Sequence, residues 1–108
     1  MDEYLLIESQ GPWGGPGADR FVADATRLRR AGHRVALFLV ENGTSAAFTG
    51  ADEALRELLE ADGQVWVDAF STTHRAFAPD RLLPGARLVD MDEVAGKLLE
   101  PGVRGVWH

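Results

Sequence analysis

Asp68, Ser71 and His74 fall in one short stretch of this 108-residue chain and carry the residue types of acid–base chemistry. An imidazole titrates near neutral pH, so His74 is the side chain best suited to moving a proton. Asp68 can serve as a general acid or base if a dry pocket raises its pKa, with His74 or Arg75 stabilising developing charge. The same three residue types make up a hydrolase triad. A working triad, however, aligns its members from separated elements, and no G-x-S-x-G elbow is present. Asp68, His74, His108 and Glu41 offer nitrogen and oxygen ligands to a metal. No i, i+4 histidine pair or H-E-x-x-H accompanies them, so no metal centre is expected. The chain has no cysteine, which removes disulfides, thiolate nucleophiles and cysteine-type zinc sites.

A second chemistry-bearing stretch is the loop Gly11-Pro12-Trp13-Gly14-Gly15-Pro16-Gly17. Backbone N–H groups at a helix N-terminus attract anions. Gly15 to Arg20 nonetheless reproduces only the first half of G-x-G-x-x-G, and Arg20 stands where the third glycine should pack. Glu41 lies about 20–25 residues on, where a ribose-binding acid is expected in that motif. Pro12 and Pro16 each remove an N–H donor, and no G-x-x-x-x-G-K-[ST] occurs. The loop reads as a rigid structural or partner-contacting element rather than a nucleotide cradle, and no cofactor is expected.

The elements that must position these residues are legible from hydrophobic patterning. Tyr4 to Ser9 is an apolar run ending in polar residues, as suits a strand covered on both faces. A helix follows from Asp19, with Phe21, Val22, Ala25 and Leu28 on one stripe and Gly32 at its left-handed cap. Arg34 to Val40 is the strongest strand, with Glu41-Asn42-Gly43 as the turn after it. Leu55, Leu58 and Leu59 mark a second helix closed by Asp62-Gly63, and Gln64 to Asp68 makes a third strand. Ser71 to Arg75 reads as a polar loop, and Pro79 and Pro84 keep the next stretch irregular. Arg87 to Val89 is a short fourth strand. Asp90 and Glu93 resemble a capping box opening a helix whose apolar face is Val94, Ala95 and Leu98. Gly105 to His108 is the last strand. Alternating strands and helices of these lengths predict βαβ units with right-handed crossovers. The expected fold is a single α/β domain over 1–108: three layers, with a five-stranded, mainly parallel sheet flanked by helices.

In such a sheet, ligands bind outside the carboxyl ends of the strands. That rule selects Ser9 to Gly17, Glu41-Asn42 and Asp68 to Arg75. Trp13, Glu41, Asn42, Ser71 and Arg75 are therefore the candidate ligand-binding residues for a small molecule, with Asp68 and His74 as candidate catalytic residues. The formal net charge of −6 argues against a nucleic-acid partner. The basic cluster Arg27-Leu28-Arg29-Arg30 is explained by its place at a helix C-terminus. No apolar run suits a membrane span and no basic n-region opens the chain, so a cytoplasmic protein is expected. Trp13 in a loop and Trp107 near the last residue are hard to bury within one chain, which predicts a homo-oligomer.

The order of these elements resembles the DsrE/DsrF-like (TusD-like) sulfur-relay family. The likeness rests on the opening strand, the G-P-containing loop, Ala31-Gly32-His33 stepping into Val35 to Val40, and the Glu41-Asn42-Gly43 turn. Val65-Trp66-Val67-Asp68, the small polar run to His74-Arg75 and the closing strand after Pro101 continue it. The resemblance implies a DsrE-like sheet in a bacterial cytoplasm, assembled as trimers or hexamers or with related subunits. It also implies a relay cysteine just after the third strand, at the position of Asp68 or one residue to either side. A carboxylate forms no persulfide, so a member without sulfurtransferase activity is expected: a scaffold or partner subunit, or a small-ligand-binding protein in a sulfur-related or biosynthetic pathway. The alternative is a repurposed enzyme using Asp68.

Overall fold

The computed structural model describes residues 2–50 and 52–108. Its apolar runs become five strands: β1 (Glu3–Glu8), β2 (Arg34–Leu39), β3 (Gln64–Asp68), β4 (Arg87–Val89) and β5 (Val103–Trp107). They form one sheet in the order β4-β3-β2-β1-β5, with every pair parallel. β1 therefore lies inside the sheet, with Leu5 beside Ala36 on one flank and Gly105 on the other. This explains why Leu5 to Ile7 of β1 and Val35 to Leu39 of β2 are continuously apolar: both faces of each are covered.

Four helices link the strands: α1 (Gly17–Arg30), α2 (Glu53–Glu60), α3 (Ala69–His74) and α4 (Met91–Leu98). Val22 and Ala25 of α1 and Leu55 and Leu58 of α2 pack on Leu6, Leu37, Leu39, Val65 and Val67, making one core. On the other face Leu5, Ile7, Ala36, Phe38, Trp66 and Val89 meet Val94 of α4. The three layers and the α/β class are as the sequence predicts. The steps from β1 to β4 move outward in one direction, and the α4 connection returns across the sheet to place β5 beside β1.

Helix boundaries follow local chemistry. Gly32 adopts φ 97° after α1, and His33 N–H donates to the Leu28 carbonyl at 3.2 Å, which closes the cap. The basic end of α1 is accounted for within the fold: Arg27 pairs with Asp24 at 3.3 Å, and Arg29 Nε donates to the Asp62 carbonyl. Asp90 caps α4 by accepting from Glu93 N–H at 2.8 Å, but the expected box is only half formed. The Glu93 carboxylate instead pairs with Arg87 at 2.6 Å. Lys97 joins α4 to β1 through Glu3, whose carboxylate holds the Lys97 ammonium above its ordinary value of 10.5.

The stretch from Ser71 to Arg75, expected as a loop, instead forms most of helix α3, with Arg75 as its C-cap. Asp68 is its N-cap, with Oδ2 accepting from Ser71 N–H at 3.0 Å and from Ser71 Oγ–H at 2.6 Å. An aspartate three residues ahead of a serine supplies the acceptor that opens a helix, and this local pairing overrides the polar look of the segment. Glu41 likewise begins a 3-10 stretch, Glu41–Phe48, rather than a simple turn.

Asp52 caps α2 by accepting from Leu55 N–H at 2.9 Å. Burial raises its carboxyl above the ordinary 3.8, the Leu55 hydrogen bond opposes this, and the charge of Asp19 adds to the rise. A raised folded-state value means the folded chain holds the proton more tightly, so this stabilising contribution is complete below pH 3.8 and fades as pH rises through the folded value. Asp52→Asn, an equally good cap without the charge, is expected to be more stable than the parent at pH 7 and equal to it below about pH 3.8. Asp52→Ala should lose about 1 kcal/mol with the cap. Thermal denaturation across pH reads both.

Candidate functional site

Glu8 ends β1 with its side chain buried beneath the rim of the sheet. Its carboxylate is held by the His108 imidazole, with Nδ1 at 2.8 and 2.9 Å from the two oxygens, and Oε2 also accepts from Gln10 N–H at 3.1 Å. Burying a carboxylate is costly unless it is paired and hydrogen-bonded, and these contacts meet that need. The His108 ring stacks on Phe21 with centroids 5.1 Å apart. The backbone of His108 extends the sheet: its N–H donates to the Ile7 carbonyl, and its own carbonyl accepts from Ser9 N–H and Ser9 Oγ–H. Glu8 thus sets both the loop after β1 and the end of β5.

The loop after β2 is fastened to the same residue. Val40 N–H donates to the Glu8 carbonyl at 3.0 Å, and Gly43 N–H reaches the Ser9 carbonyl at 3.1 Å. Gly43 lies so close to Glu8 that a Cβ there would overlap the Glu8 carbonyl oxygen, so a side chain would force the two loops apart.

Between these loops and the end of α3 lies a cleft of about 640 Å³, lined by Gln10, Trp13, Asn42, Ser45, Arg75 and Phe77 among others. Its size is that of a small-molecule site. Arg75 Nη2 donates to Asn42 Oδ1 at 3.1 Å. Ser45 Oγ–H is committed to the Asn42 carbonyl at 2.8 Å, which stiffens the 3-10 turn. Phe77 stacks face to face on Phe48, with centroids 4.7 Å apart and planes 10° apart. Trp13 sits on a 3-10 turn, Pro12–Gly14, with 80% of its surface exposed. Trp13 also borders a second cleft, lined by Asp19, Asp52, Glu53 and Glu57 among others.

The sequence candidates divide sharply. Trp13, Asn42 and Arg75 converge on the first cleft. Glu41 adopts φ 54°, exposes its side chain to solvent and contributes its backbone N–H to Ser71 Oγ at 2.9 Å. Ser71 is buried between that N–H and Asp68 and does not line the cleft. Asp68 is buried as the α3 cap, and its Oδ1 has no hydrogen-bond partner. His74 is exposed and stacks on the exposed Phe70, with centroids 5.6 Å apart. Asp68 and His74 are therefore not brought together as an acid–base pair, because helix α3 turns His74 away from the strand end that buries Asp68. Ser45 and Phe77 also line this cleft and were missed, although each lies two or three residues beyond a candidate that lines it, Asn42 or Arg75. Glu8 and His108 were missed as a pair because 100 residues separate them. Among the described residues no group of three or more His, Asp or Glu side chains could hold a metal, and no helix is long and apolar enough to cross a membrane.

Comparison with solved structures identifies the architecture. The ychN protein from E. coli superposes with a TM-score of 0.89 at 18% identity, covering 100% of both chains. MTH1491 from Methanobacterium thermoautotrophicum, described as a protein of unknown function, superposes with a TM-score of 0.84 at 10% identity, again over 100% of both chains. At these identities the likeness establishes a DsrE-like α/β fold. No protein-family model and no curated protein matches the sequence.

The Glu8–His108 pair determines how this rim holds together. Replacing His108 with Ala leaves a buried carboxylate with Gln10 N–H as its remaining donor, and should cost about 1–3 kcal/mol in urea denaturation. Combining it with Glu8→Gln, which removes the charge but keeps an acceptor for Gln10, should recover part of that loss.

Proposed function

We propose that this chain is a DsrE-fold protein working without thiol chemistry, as a small-ligand-binding protein whose site is the cleft between the loops after β1 and β2. The observation that carries the reading is the convergence of Trp13, Asn42 and Arg75, from three separate segments, on one preformed cleft at the carboxyl ends of the strands. With no cysteine in the chain, no side chain can accept a sulfane sulfur by thiol exchange, so a sulfur-related role is that of a binding or partner subunit.

The reading of Asp68 as a general base has less support. Its carboxylate is spent on capping α3, is buried, and is absent from the cleft lining. A general base must come within hydrogen-bond reach of the proton it takes. Arg75 and Asn42 are placed to bind, and neither is suited to take a proton at neutral pH.

A fragment library of neutral, cationic and anionic compounds, screened by 1H–15N NMR, tests the proposal. Binders are expected to shift the Trp13 indole N–H and the backbone amides of 9–14 and 42–45. Trp13→Leu should weaken them by about tenfold, through loss of aromatic contact area. A library without a single hit in the cleft would remove the binding function.

The protein is further proposed to act in the cytoplasm as a homo-oligomer. Trp107, Met91, Leu98 and Leu99 are exposed around β5 and α4, and Trp107 is 65% exposed. Large exposed apolar side chains near a sheet edge mark subunit contacts. Light scattering should give a multiple of the 11.8 kDa chain mass, falling toward one chain when Trp107 is replaced by Ser. A monomer in the parent protein would overturn this.

A further inference from the structure

We infer that the ligand of this cleft is a monoanionic carboxylate carried on a planar, aromatic body; the inference rests on the small-ligand reading above and names the ligand class. Three features of the cleft converge on it.

The first is charge. The chain has a net charge of −6, yet no Asp or Glu lines this cleft, and Arg75 is the one charged residue that does. Among the described residues Arg75 forms no ion pair, which is equally true of Arg20, Arg29, Arg30, Arg34 and Arg81; what sets Arg75 apart is that it lines this cleft. A guanidinium on a cleft wall that carries no carboxylate is open to an external one.

The second is donor polarity. Asn42 Oδ1 accepts from Arg75, which uses the acceptor end of the amide and leaves its NH2 as donor. Arg75 spends one of its five N–H groups there and keeps the others. The Arg75–Asn42 corner therefore presents only donors, the complement of a carboxylate, which accepts in a bidentate fork. Ser9 and Ser45 have already given their hydroxyl protons to backbone carbonyls. The same corner is poorly suited to a phosphate dianion, because one guanidinium balances one negative charge. The loop backbone adds little: Pro12 has no N–H, and the N–H groups of Gly14 and Gly43 are taken by the Gly11 and Ser9 carbonyls.

The third is shape. Phe77 is fixed by its stack on Phe48, and Trp13 is a large aromatic lining the same cleft, with no ring stacked on it among the described residues. Two aromatic walls beside a donor corner suit a flat apolar body with its carboxylate at one end.

Titration of the whole protein with benzoate, benzamide and inorganic phosphate, followed by NMR at the Trp13 indole and the 42–45 amides, tests the inference. Benzoate should give saturable shifts, and benzamide should bind at least about tenfold more weakly, as expected for loss of a charged hydrogen-bond pair. Arg75→Gln should abolish the preference for benzoate over benzamide. Arg75→Lys, which keeps the charge and loses the fork, should retain part of it. Unchanged melting temperatures of both variants in the absence of ligand separate this result from a folding defect. Equal binding of benzamide, or tighter binding of phosphate, overturns the carboxylate assignment and leaves the cleft a binding site. So does an inert benzoate when neutral or cationic library members occupy the cleft. An empty cleft throughout the library overturns the binding function and the ligand class together.

Discussion

The arrangement of the rim depends on one buried carboxylate. Glu8 cannot leave the sheet, because it pairs with Leu39 of β2 and its neighbours Ile7 and Ser9 are bonded to His108, and its charge cannot stay buried alone. The side chain therefore recruits Gln10 from the following loop and His108 from beyond β5, while its carbonyl receives Val40 and packs on Gly43. Three chain segments distant in sequence are fixed relative to one another at a single residue. The cleft is the space left between two of them once they have been fixed. Its residues need no contact with Glu8 to be positioned by it.

The two faces of the sheet are unequally covered, and this shapes what each can do. α1, α2 and the turn before β4 bury one face, where Leu83 joins the core. The other face has α4, eight residues long, as the helix in its core. β5 pairs with β1 on one side only and lies at the sheet edge, and its Trp107, alongside Ile7 in register, is exposed. The cleft lies among the loops after β1 and β2 and beside the end of α3. The thinly covered side and its edge retain the large apolar groups.

The polar residues after β3 show how structure can absorb what looks like chemistry. Asp68, Ser71 and Glu41 form a hydrogen-bonded chain, in which the Glu41 N–H donates to Ser71 Oγ and Ser71 Oγ–H donates to Asp68 Oδ2. That chain caps α3 and ties the turn after β2 to it. Arg75, one residue past the end of α3, is carried to the cleft by the same short helix that turns His74 outward. A one-residue difference in position on a helix rotates the side chain by about 100°, which is enough to separate a cleft residue from a solvent-facing one.

The strands, three of the four helices, the cap at Gly32, the parallel α/β class and the absence of thiol chemistry were all determined by the sequence alone. Each follows from local periodicity, local backbone preference or composition. The same patterning gave Trp13, Asn42 and Arg75 as rim residues, because strand polarity fixes which loops share an edge. Tertiary structure alone decided that Glu8 pairs with His108, that Ser45 and Phe77 join the cleft, and that Asp68 and His74 stay apart. These depend on which side chains approach across long separations and on the phase of a six-residue helix, and neither is encoded in the spacing of residue types along the chain.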